Sequence, residues 1–199
     1  MDPDKILSAS SYGKLQFLRL DKYTDGITAS ELNTFLNKKV SSSNVFYNKG
    51  QAFIDAAKKY DIDVVYLVAH SMVESGYGTS TLAKGQTVID SNGKVVTVYN
   101  FFGIGAYDGS ANSSGAQYAY KQGWTTVDKT IEGSAEWICN KYINGTYNQN
   151  TLYRMRWNNL THQYATDINW CNVIASVMNN LVRFYDDQSK LTYDILRYK

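Results

Sequence analysis

Apolar residues fill nearly every position of one stretch near the middle of the chain. Between Asp63 and Gly76 the sequence reads Val-Val-Tyr-Leu-Val-Ala-His-Ser-Met-Val-Glu-Ser. Asp63 is a favourable N-cap and Gly76 a favourable C-terminal stop, so this stretch predicts a helix of about three turns. Because apolar positions cover all of its faces, we expect the helix to be buried on every side.

Two helices are predicted before this stretch. Thr28 and Glu31 have the spacing of a capping box and open a helix over residues 29–37. The helical spacing of Phe53, Ile54, Ala56 and Ala57 predicts a second helix at about residues 49–60.

Two more helices are predicted towards the end of the chain. Thr125 with Asp128 opens one that runs to about residue 143, and Asp167 caps another that begins with Trp170 and Val173 on its inner face.

The hydrophobic period changes between residues 87 and 99. Two segments rich in β-branched residues, 87–91 and 94–98, flank Asn92-Gly93, which is the strongest short-range hairpin signal. A polar loop is expected over residues 108–115. The predicted fold class is therefore α+β but mainly α, with one hairpin inserted into a helical chain.

Composition narrows the functional classes. The net charge of +2 is too small to indicate nucleic-acid binding, while 17 tyrosines and a charged fraction of 19% suit a hydroxyl-rich ligand. No apolar run reaches membrane-spanning length, and the N-terminus has no secretory character. Cys139 and Cys171 lie on separate predicted helices, where they could pair but are more often buried free thiols.

Glu74 closes the apolar helix as a lone carboxylate. Burial and the negative end of the helix dipole both favour its protonated form, which is what a general acid requires. The alternative is a glutamate at a helix end that points into solvent. His70 precedes it by one turn and could share a metal ion with it, but a hydrogen-bonding neighbour is the more common role. We expect no metal and no cofactor.

Carboxylate chemistry of the glycosidase kind needs a second group, and three aspartates are candidates. Asp90 lies in the hairpin, Asp108 follows a glycine-rich turn and Asp167 precedes a helix. Each also has a structural interpretation, as a turn residue, a loop residue and an N-cap.

Several segments resemble the bacterial cell-wall endo-β-N-acetylglucosaminidases of glycoside hydrolase family 73, found as the glucosaminidase domains of autolysins. They are Glu-Ser-Gly-Tyr-Gly-Thr-Ser from residue 74, Leu-Ala-Lys-Gly from 82, Tyr-Asn-Phe-Phe-Gly-Ile from 99, Ala-Tyr-Asp from 106, Gly-Trp-Thr-Thr-Val from 123, Leu-Tyr-Arg-Met-Arg-Trp-Asn from 152 and His-Gln-Tyr-Ala-Thr-Asp from 162. These matches follow the order of the family across roughly residues 60–175.

The resemblance implies a lysozyme-like fold in which a helical lobe and a small β-hairpin lobe flank a groove. It implies cleavage of the β-1,4 bond between N-acetylglucosamine and N-acetylmuramic acid of peptidoglycan, with Glu74 as general acid. Tyr164 matches a tyrosine implicated in the family's active site, and Asp108 is a positional candidate for a second acid. The hairpin precedes the Asn-Phe-Phe-Gly motif here, unlike in some members, so attack by the substrate's own 2-acetamido group is a further possibility.

The resemblance also implies residues that bind substrate. Asn100, Phe101 and Phe102 match the motif at the floor of the groove. Rings that could stack on sugars are Tyr118, Tyr120, Trp124, Trp157 and Tyr164, although core packing explains the tryptophans equally well.

We therefore expect one catalytic domain over residues 1–199, with a helical N-terminal extension over 1–45, a lysozyme-like core over 46–186 and a tail over 187–199. The expected partner is the glycan strand of peptidoglycan, with no nucleic acid and no membrane insertion. The chain is expected to be a monomer within a larger modular autolysin that carries wall-binding repeats, secreted to the bacterial cell wall. Alternatives are a muramidase or lytic transglycosylase using the same glutamate, and a non-catalytic wall-binding domain.

Overall fold

The computed structural model describes residues 2–107 and 109–196. Its regular structure is mainly helical with one β-hairpin, as the hydrophobic pattern predicts. The helices are α1 Pro3–Ala9, α2 Ala29–Lys39, α3 Gly50–Tyr60, α4 Val64–Glu74, α5 Ala111–Lys121, α6 Val127–Ile138 and α7 Trp170–Asn179, and the strands are β1 Gln86–Ile89 and β2 Val95–Val98. Short 3₁₀ turns cover Gly13–Phe17, Val182–Phe184 and Gln188–Lys190, and π turns cover Cys139–Ile143 and Arg154–Asn158.

Helix α4 is the buried helix that the apolar run predicts. Every residue from Val64 to Ala69 is fully buried. Asp63 caps its N-terminus, because the Tyr66 backbone N–H donates to Asp63 Oδ1 at 2.8 Å. The other oxygen, Oδ2, accepts a hydrogen bond of 2.9 Å from the Tyr185 hydroxyl. Both predictions about this helix, the cap and the burial, are confirmed.

The chain divides into two units, each built from separate stretches of sequence. The first unit contains the residues up to Ile27, Ala57–Ala69 and those from Trp137 onward. The second contains Thr28–Ala56 and His70–Glu136. Helix α4 therefore contributes its first half to one unit and its last turn and a half to the other.

In the first unit, an aromatic cluster joins the N-terminal region to the later part of the chain. The rings of Phe17 and Tyr153 stack with centroids 5.1 Å apart, and Ile6 packs beside them. The C-terminal residues close over this unit: the Asp194 N–H donates to the Phe17 carbonyl at 2.8 Å, and the Asp194 carboxylate pairs with the Arg154 guanidinium at 2.9 Å.

In the second unit, the hairpin forms at the predicted position. Gln86 pairs with Val98 and Ile89 with Val95 in an antiparallel register. Gly93 has φ of +78°, which the tight turn requires. Asp90 stabilises this turn, since its Oδ1 accepts from the N–H groups of Asn92 and Lys94 at 2.8 and 2.9 Å.

The N-terminal caps agree with the sequence predictions in part. The capping box of Thr28 and Glu31 is formed as predicted. Helix α6 is capped one residue later than predicted, because Thr126 Oγ1 accepts from the Lys129 N–H. The predicted cap at Asp167 is wrong: α7 begins at Trp170, and Asp167 instead forms a turn by accepting from the Asn169 N–H at 2.9 Å.

Helix α5 corrects the prediction of a polar loop over residues 108–115. Its buried face consists of Gly115, Ala116 and Ala119, so no large apolar residue marks it in the sequence. A Cβ at Gly115 would lie 2.8 Å from Leu82 Cδ1, so this helix packs closely on the segment that follows α4.

Both cysteines, Cys139 and Cys171, are buried free thiols. In the described ranges, no helix is both long enough and apolar enough to cross a membrane.

Candidate active site

Glu74 is the last residue of α4, and the helix ends directly after it in a Schellman motif. The Tyr77 N–H donates to the Met72 carbonyl at 2.6 Å and the Gly76 N–H donates to the Val73 carbonyl at 3.1 Å. Gly76 adopts the left-handed conformation that this motif requires, with φ of +57°. The carboxyl group is thereby fixed at the negative end of the helix dipole.

Two polar side chains hold the turn after Glu74. The Ser75 hydroxyl donates to the Ser71 carbonyl at 2.5 Å and accepts from the Gly78 N–H at 2.9 Å. Asn44 Nδ2 donates to the Tyr77 carbonyl at 3.0 Å, while its Oδ1 accepts from the Phe46 N–H at 3.0 Å. Residues remote in sequence therefore fix the backbone on which the candidate acid lies.

His70 is the nearest described ionisable neighbour of Glu74 on the same helix face. Its Nε2 lies 3.3 Å from Glu74 Oε1, and its side chain is fully buried whereas that of Glu74 is 23% exposed. Burial lowers the pKa of His70, and this outweighs the opposing effect of Glu74. The Phe102 ring packs edge-on against the imidazole at 4.6 Å, and this apolar contact together with the lowered pKa favours a neutral imidazole beside the candidate acid.

The carboxyl group of Glu74 faces a pocket of about 360 Å³. Its wall is also formed by the residues Ser80, Thr81, Asn100, Phe101 and Asn112. This volume lies in the range of roughly 300–1,000 Å³ typical of small-molecule sites. Among the described residues that line it, Glu74 is the only carboxylate. The pocket therefore combines one acid with hydroxyl and amide groups that can pair with sugar hydroxyls.

Asn100 and the two following phenylalanines build the base of this region. The Asn100 side chain is buried: its Nδ2 donates to the carbonyls of Ile104 and Gly115 at 2.8 and 3.1 Å, and its Oδ1 accepts from the Ile104 N–H. The Phe101 ring packs on Phe46 with centroids 4.8 Å apart. Asn100 and Phe101 thus line the pocket and are fixed by these contacts, whereas Phe102 packs against His70.

The three candidate aspartates differ in what the structure shows. Asp90 accepts hydrogen bonds from the backbone N–H groups of its turn, as its structural interpretation predicts, whereas Asp167 accepts from the Asn169 N–H in a turn and not as the predicted N-cap. Asp108 lies outside the described residues. Within residues 2–107 and 109–196, no group of three or more His, Cys, Asp or Glu side chains is placed to hold a metal ion.

The ring candidates of the second unit lie beside α5. Tyr118, on that helix, is half-buried and packs edge-on against the Trp124 indole at 5.6 Å. Trp124 is 4% exposed, and a Cβ at Gly133 would lie 1.9 Å from its Nε1, so this tryptophan is a packing residue.

Tyr164 lies in the first unit, within a group of aromatic rings. It stacks on Trp170 at 4.9 Å and meets Tyr142 edge-on at 5.0 Å, and Tyr142 in turn packs against His162 at 4.8 Å. The Tyr164 ring is therefore fixed in orientation by its neighbours on both sides.

Two buried polar residues hold the segment around Tyr164. Gln149 Nε2 donates to the His162 carbonyl at 2.8 Å, and Gln149 Oε1 lies 2.7 Å from the His162 Nδ1 atom. Arg156 Nη2 donates to the Thr166 carbonyl at 2.6 Å and its Nε to the Asp167 carbonyl at 3.0 Å. The guanidinium carbon of Arg156 also lies 4.0 Å from the centre of the Trp157 ring. Trp157, a candidate for stacking on sugars, therefore belongs to the first unit, as Tyr164 does.

The structure places the predicted residues Glu74, Asn100 and Phe101 in the lining of one pocket, and it adds residues that the sequence did not single out: Ser80, Thr81 and Asn112 in the same lining, and Asn44 at the turn after Glu74. All four belong to loops or to the unpredicted helix α5, and Asn44 acts across 33 residues of sequence. No local pattern marks such residues.

Comparison with known proteins identifies the family. Residues 50–183 match the model of the glucosaminidase family, described as mannosyl-glycoprotein endo-beta-N-acetylglucosaminidase. The chain belongs to this family. It is 43% identical over 201 residues to a beta-N-acetylglucosaminidase of Bacillus subtilis, and 47% identical over 194 residues to a bifunctional autolysin of Staphylococcus epidermidis. These matches cover 100% and 94% of the chain but only 22% and 14% of the two relatives.

Solved structures of autolysins share the fold of this glucosaminidase-family chain. The crystal structure of a major bifunctional autolysin matches all of the chain and 79% of its own length, with 40% identity and a TM-score of 0.73. S. aureus autolysin E, 37% identical with the same TM-score, has been solved with a muropeptide; that match covers 100% of this chain and 84% of its own. A catalytic mutant of autolysin E, with a glutamate replaced by alanine, has been solved with the disaccharide NAG-NAM, and 98% of this chain and 81% of the mutant chain align. The expected lysozyme-like fold is thereby confirmed.

Proposed function

We propose that this chain is the glucosaminidase domain of an autolysin and hydrolyses the β-1,4 bond between N-acetylglucosamine and N-acetylmuramic acid. The observation that carries the proposal is the partly exposed Glu74 carboxyl at a pocket lined by hydroxyl and amide groups. The NAG-NAM and muropeptide complexes of autolysin E support the same substrate class.

In the first step, Glu74 gives its proton to the glycosidic oxygen as the bond between that oxygen and C1 breaks. The leaving sugar departs with the proton, and positive charge develops at C1 and the ring oxygen. Burial of one side of the carboxyl group and the helix C-terminus both disfavour the charged carboxylate before proton transfer. The neutral His70 adds no positive charge that would hold the carboxyl group ionised.

In the second step, the carbonyl oxygen of the 2-acetamido group bonds to C1 and forms a cyclic intermediate. Water then attacks C1 as the bond between C1 and the acetamido oxygen breaks, and the Glu74 carboxylate takes a proton from that water, which restores both the acetamido group and the acid. The single carboxylate among the described lining residues favours this route. Asp108 remains the candidate for a second acid, and Tyr164 for a group that stabilises the developing charge.

Substrate binding is assigned to the floor and walls of the pocket. Asn100 and Phe101 line this pocket and Phe102 belongs to the same motif, while Tyr118 and Trp157, which lie outside its lining, are candidates for stacking on other sugar rings of the glycan strand. Ser80, Thr81 and Asn112 provide further hydrogen-bonding groups. The expected partner is peptidoglycan of the bacterial wall, reached by a secreted modular protein. The small fraction of each relative that this chain covers agrees with a larger parent protein.

Product analysis distinguishes this function from a muramidase, a lytic transglycosylase or a binding domain. Purified peptidoglycan is digested, reduced with borohydride and analysed by mass spectrometry. We expect reduced N-acetylglucosamine at the new ends. Reduced muramic acid ends, anhydro ends or the absence of new ends would each reject the proposal in favour of one of these alternatives.

A further inference from the structure

The first unit contains a second pocket, also of about 360 Å³, that the reaction above does not use. Its wall is formed by α1, the 3₁₀ turn after it, the Trp157 side chain and the start of α7. All of its lining residues belong to the first unit, whereas all those of the Glu74 pocket belong to the second.

Two polar side chains of this wall, Gln16 and Ser10, have no hydrogen-bond partner among the described residues. Gln16 is only 5% exposed, and its side-chain amide makes no hydrogen bond to another described residue. The Ser10 hydroxyl oxygen is buried and has no partner within the described chain either. The Ser10 oxygen is covered by the protein, whereas the Gln16 amide is not among the fully covered polar atoms and is available to a ligand in the pocket.

The chemistry of the wall narrows the ligand class. Besides Gln16, the pocket is lined by the amides of Asn169 and Asn172, which offer both donors and acceptors, and by the apolar surfaces of Trp157 and Ile168. Lys5 is the only charged residue among its described lining, and no carboxylate is present there. A cation would find no counter-charge, and a highly charged anion would leave the amide acceptors unused. An uncharged ligand with amide and hydroxyl groups can pair with the donors and acceptors of these amides, and its flat apolar face can pack on the apolar surfaces.

We propose that this pocket binds an N-acetylated amino sugar of a glycan strand and acts as a binding subsite without a role in bond cleavage. The assignment of the polymer rests on the proposed function, while the ligand class rests on the pocket itself. The acetamido group pairs with the Gln16 and Asn172 amides, and a sugar face packs on Trp157. Because the described wall carries no acid, the bound sugar is held and not cleaved.

The test uses N,N′-diacetylchitobiose and the Glu74→Gln variant of the full chain, so that binding is measured apart from cleavage. In NMR spectra with ¹⁵N labelling, we expect the disaccharide to shift the side-chain amide signals of Gln16 and Asn172 and the indole N–H signal of Trp157. Asn172→Ala should weaken binding at this pocket about five- to tenfold, the effect of one hydrogen bond. Asn179→Ala, an exposed asparagine on the same helix outside the pocket, is the matched control and should leave binding unchanged.

A second variant separates a binding role from a structural one. Gln16→Met keeps the size of the side chain but removes an amide that has no partner among the described residues. We expect weaker disaccharide binding with an unchanged or higher melting temperature. A lower melting temperature with unchanged binding would show that Gln16 only supports the fold, and would overturn the proposal.

Two other results would also overturn it. One is the absence of disaccharide-induced shifts at these three side chains. The other is that the dipeptide L-Ala-D-iGlu produces the shifts and the disaccharide does not. Failure of the proposed function is recognised separately, from the chemical nature of the ends produced by the wild-type enzyme.

Discussion

The side chains of His70 and Glu74 lie one helical turn apart, yet one is fully buried and the other is 23% exposed. Because the solvent exposure of the side chains changes over this single turn, Glu74 has one side packed against the protein and one side open to the pocket. A general acid needs both, because its proton must be retained until a substrate oxygen arrives and must then be accessible to it. The imidazole contributes contact and hydrogen bonding without positive charge.

At the same scale, Asp63 makes stability depend on pH. Burial raises the pKa of Asp63 from its ordinary value of 3.8 to about 6, although hydrogen bonds from Tyr66 and Tyr185 act in the opposite direction. Between these two values the folded chain binds more protons than the unfolded chain, so the contribution to stability is present at low pH and is lost as pH rises through 6. The expected loss is on the order of 3 kcal/mol.

We therefore expect Asp63→Asn to remove this part of the pH dependence. Asparagine keeps an acceptor for the Tyr66 N–H and its amide can donate to the Tyr185 hydroxyl. Urea unfolding at pH 4.5 and pH 7.5 measures the effect: relative to wild type, the variant should gain stability at the higher pH. Asp25→Asn, at a side chain that is 80% exposed, is the control. Equal pH dependence in wild type and Asp63→Asn would contradict this account of the buried carboxyl.

The element and candidate role of a residue could be predicted where one continuous segment of sequence contains the pattern that indicates them. Glu74 closes an apolar helix before Gly76, so both its element and its candidate role could be read from one segment. Asn44 and Arg156 could not, because each acts by binding the backbone of a segment that only the folded chain brings near. The burial of Gln16 could not be predicted either, because apolar and polar residues alternate irregularly around it.

At the scale of elements, the turn after α4 determines the position of Glu74, the candidate acid. Gly78 has φ of +73°, and a Cβ there would lie 2.6 Å from Asn44 Oδ1, the residue that holds the turn. A side chain at this position therefore meets both an unfavourable backbone conformation and a close contact.

This predicts that Gly78→Ala costs more stability than Gly93→Ala. Gly93 has nearly the same φ, +78°, but a Cβ added to it would meet no atom within 4 Å, so its variant experiences the backbone effect alone, about 1 kcal/mol. We expect Gly78→Ala to lower the free energy of unfolding by a further amount of about 1–3 kcal/mol. It should also lower the rate of wall lysis, because a shift of the overpacked turn displaces the adjacent Glu74. Denaturant unfolding and a turbidity assay measure the two effects. Equal losses of stability in both variants would show that Asn44 does not constrain the turn.

Element prediction succeeded where capping chemistry or strict periodicity was strong, as for α2, α4 and the hairpin. It failed for α5 because small residues face inward there, and glycine and alanine carry little hydrophobic signal. It placed the start of α7 too early because an aspartate that forms a turn and one that caps a helix look alike in sequence.

At the scale of the molecule, the first unit is closed by the end of the chain. Leu191 is 7% exposed, Arg19 and Phe17 form backbone hydrogen bonds with Thr192 and Asp194, and Arg154 pairs with Asp194. These contacts make the segment part of the fold of this unit.

We expect removal of residues 191–199 to lower the melting temperature by several degrees or more, because it exposes the Phe17 region and leaves backbone groups without partners. Asp194→Asn removes only the partly exposed ion pair with Arg154 and should cost at most about 1 kcal/mol. Differential scanning calorimetry compares the two variants. A truncated chain that melts at the wild-type temperature would contradict the structural role of this segment.

The overall fold class was predictable, but the division into units was not. Helical periodicity with one hairpin indicated a mainly α domain, and the family resemblance supplied the lysozyme-like arrangement. Each unit, however, combines stretches that are separated in sequence by residues of the other unit, and three helices, α3, α4 and α6, contribute to both. Packing between segments that are distant in sequence cannot be predicted from local sequence patterns.

The most direct test of the account is the rate of peptidoglycan lysis by Glu74→Gln. Glutamine keeps the shape of the side chain but has no acidic proton, so we predict a rate at least about 100-fold below wild type. Wall binding in a sedimentation assay and the free energy of unfolding should be retained. Glu136→Gln, at an exposed glutamate on α6, is the control and should lyse walls at the wild-type rate. Wild-type lysis by a folded Glu74→Gln variant would show that the catalytic acid lies elsewhere.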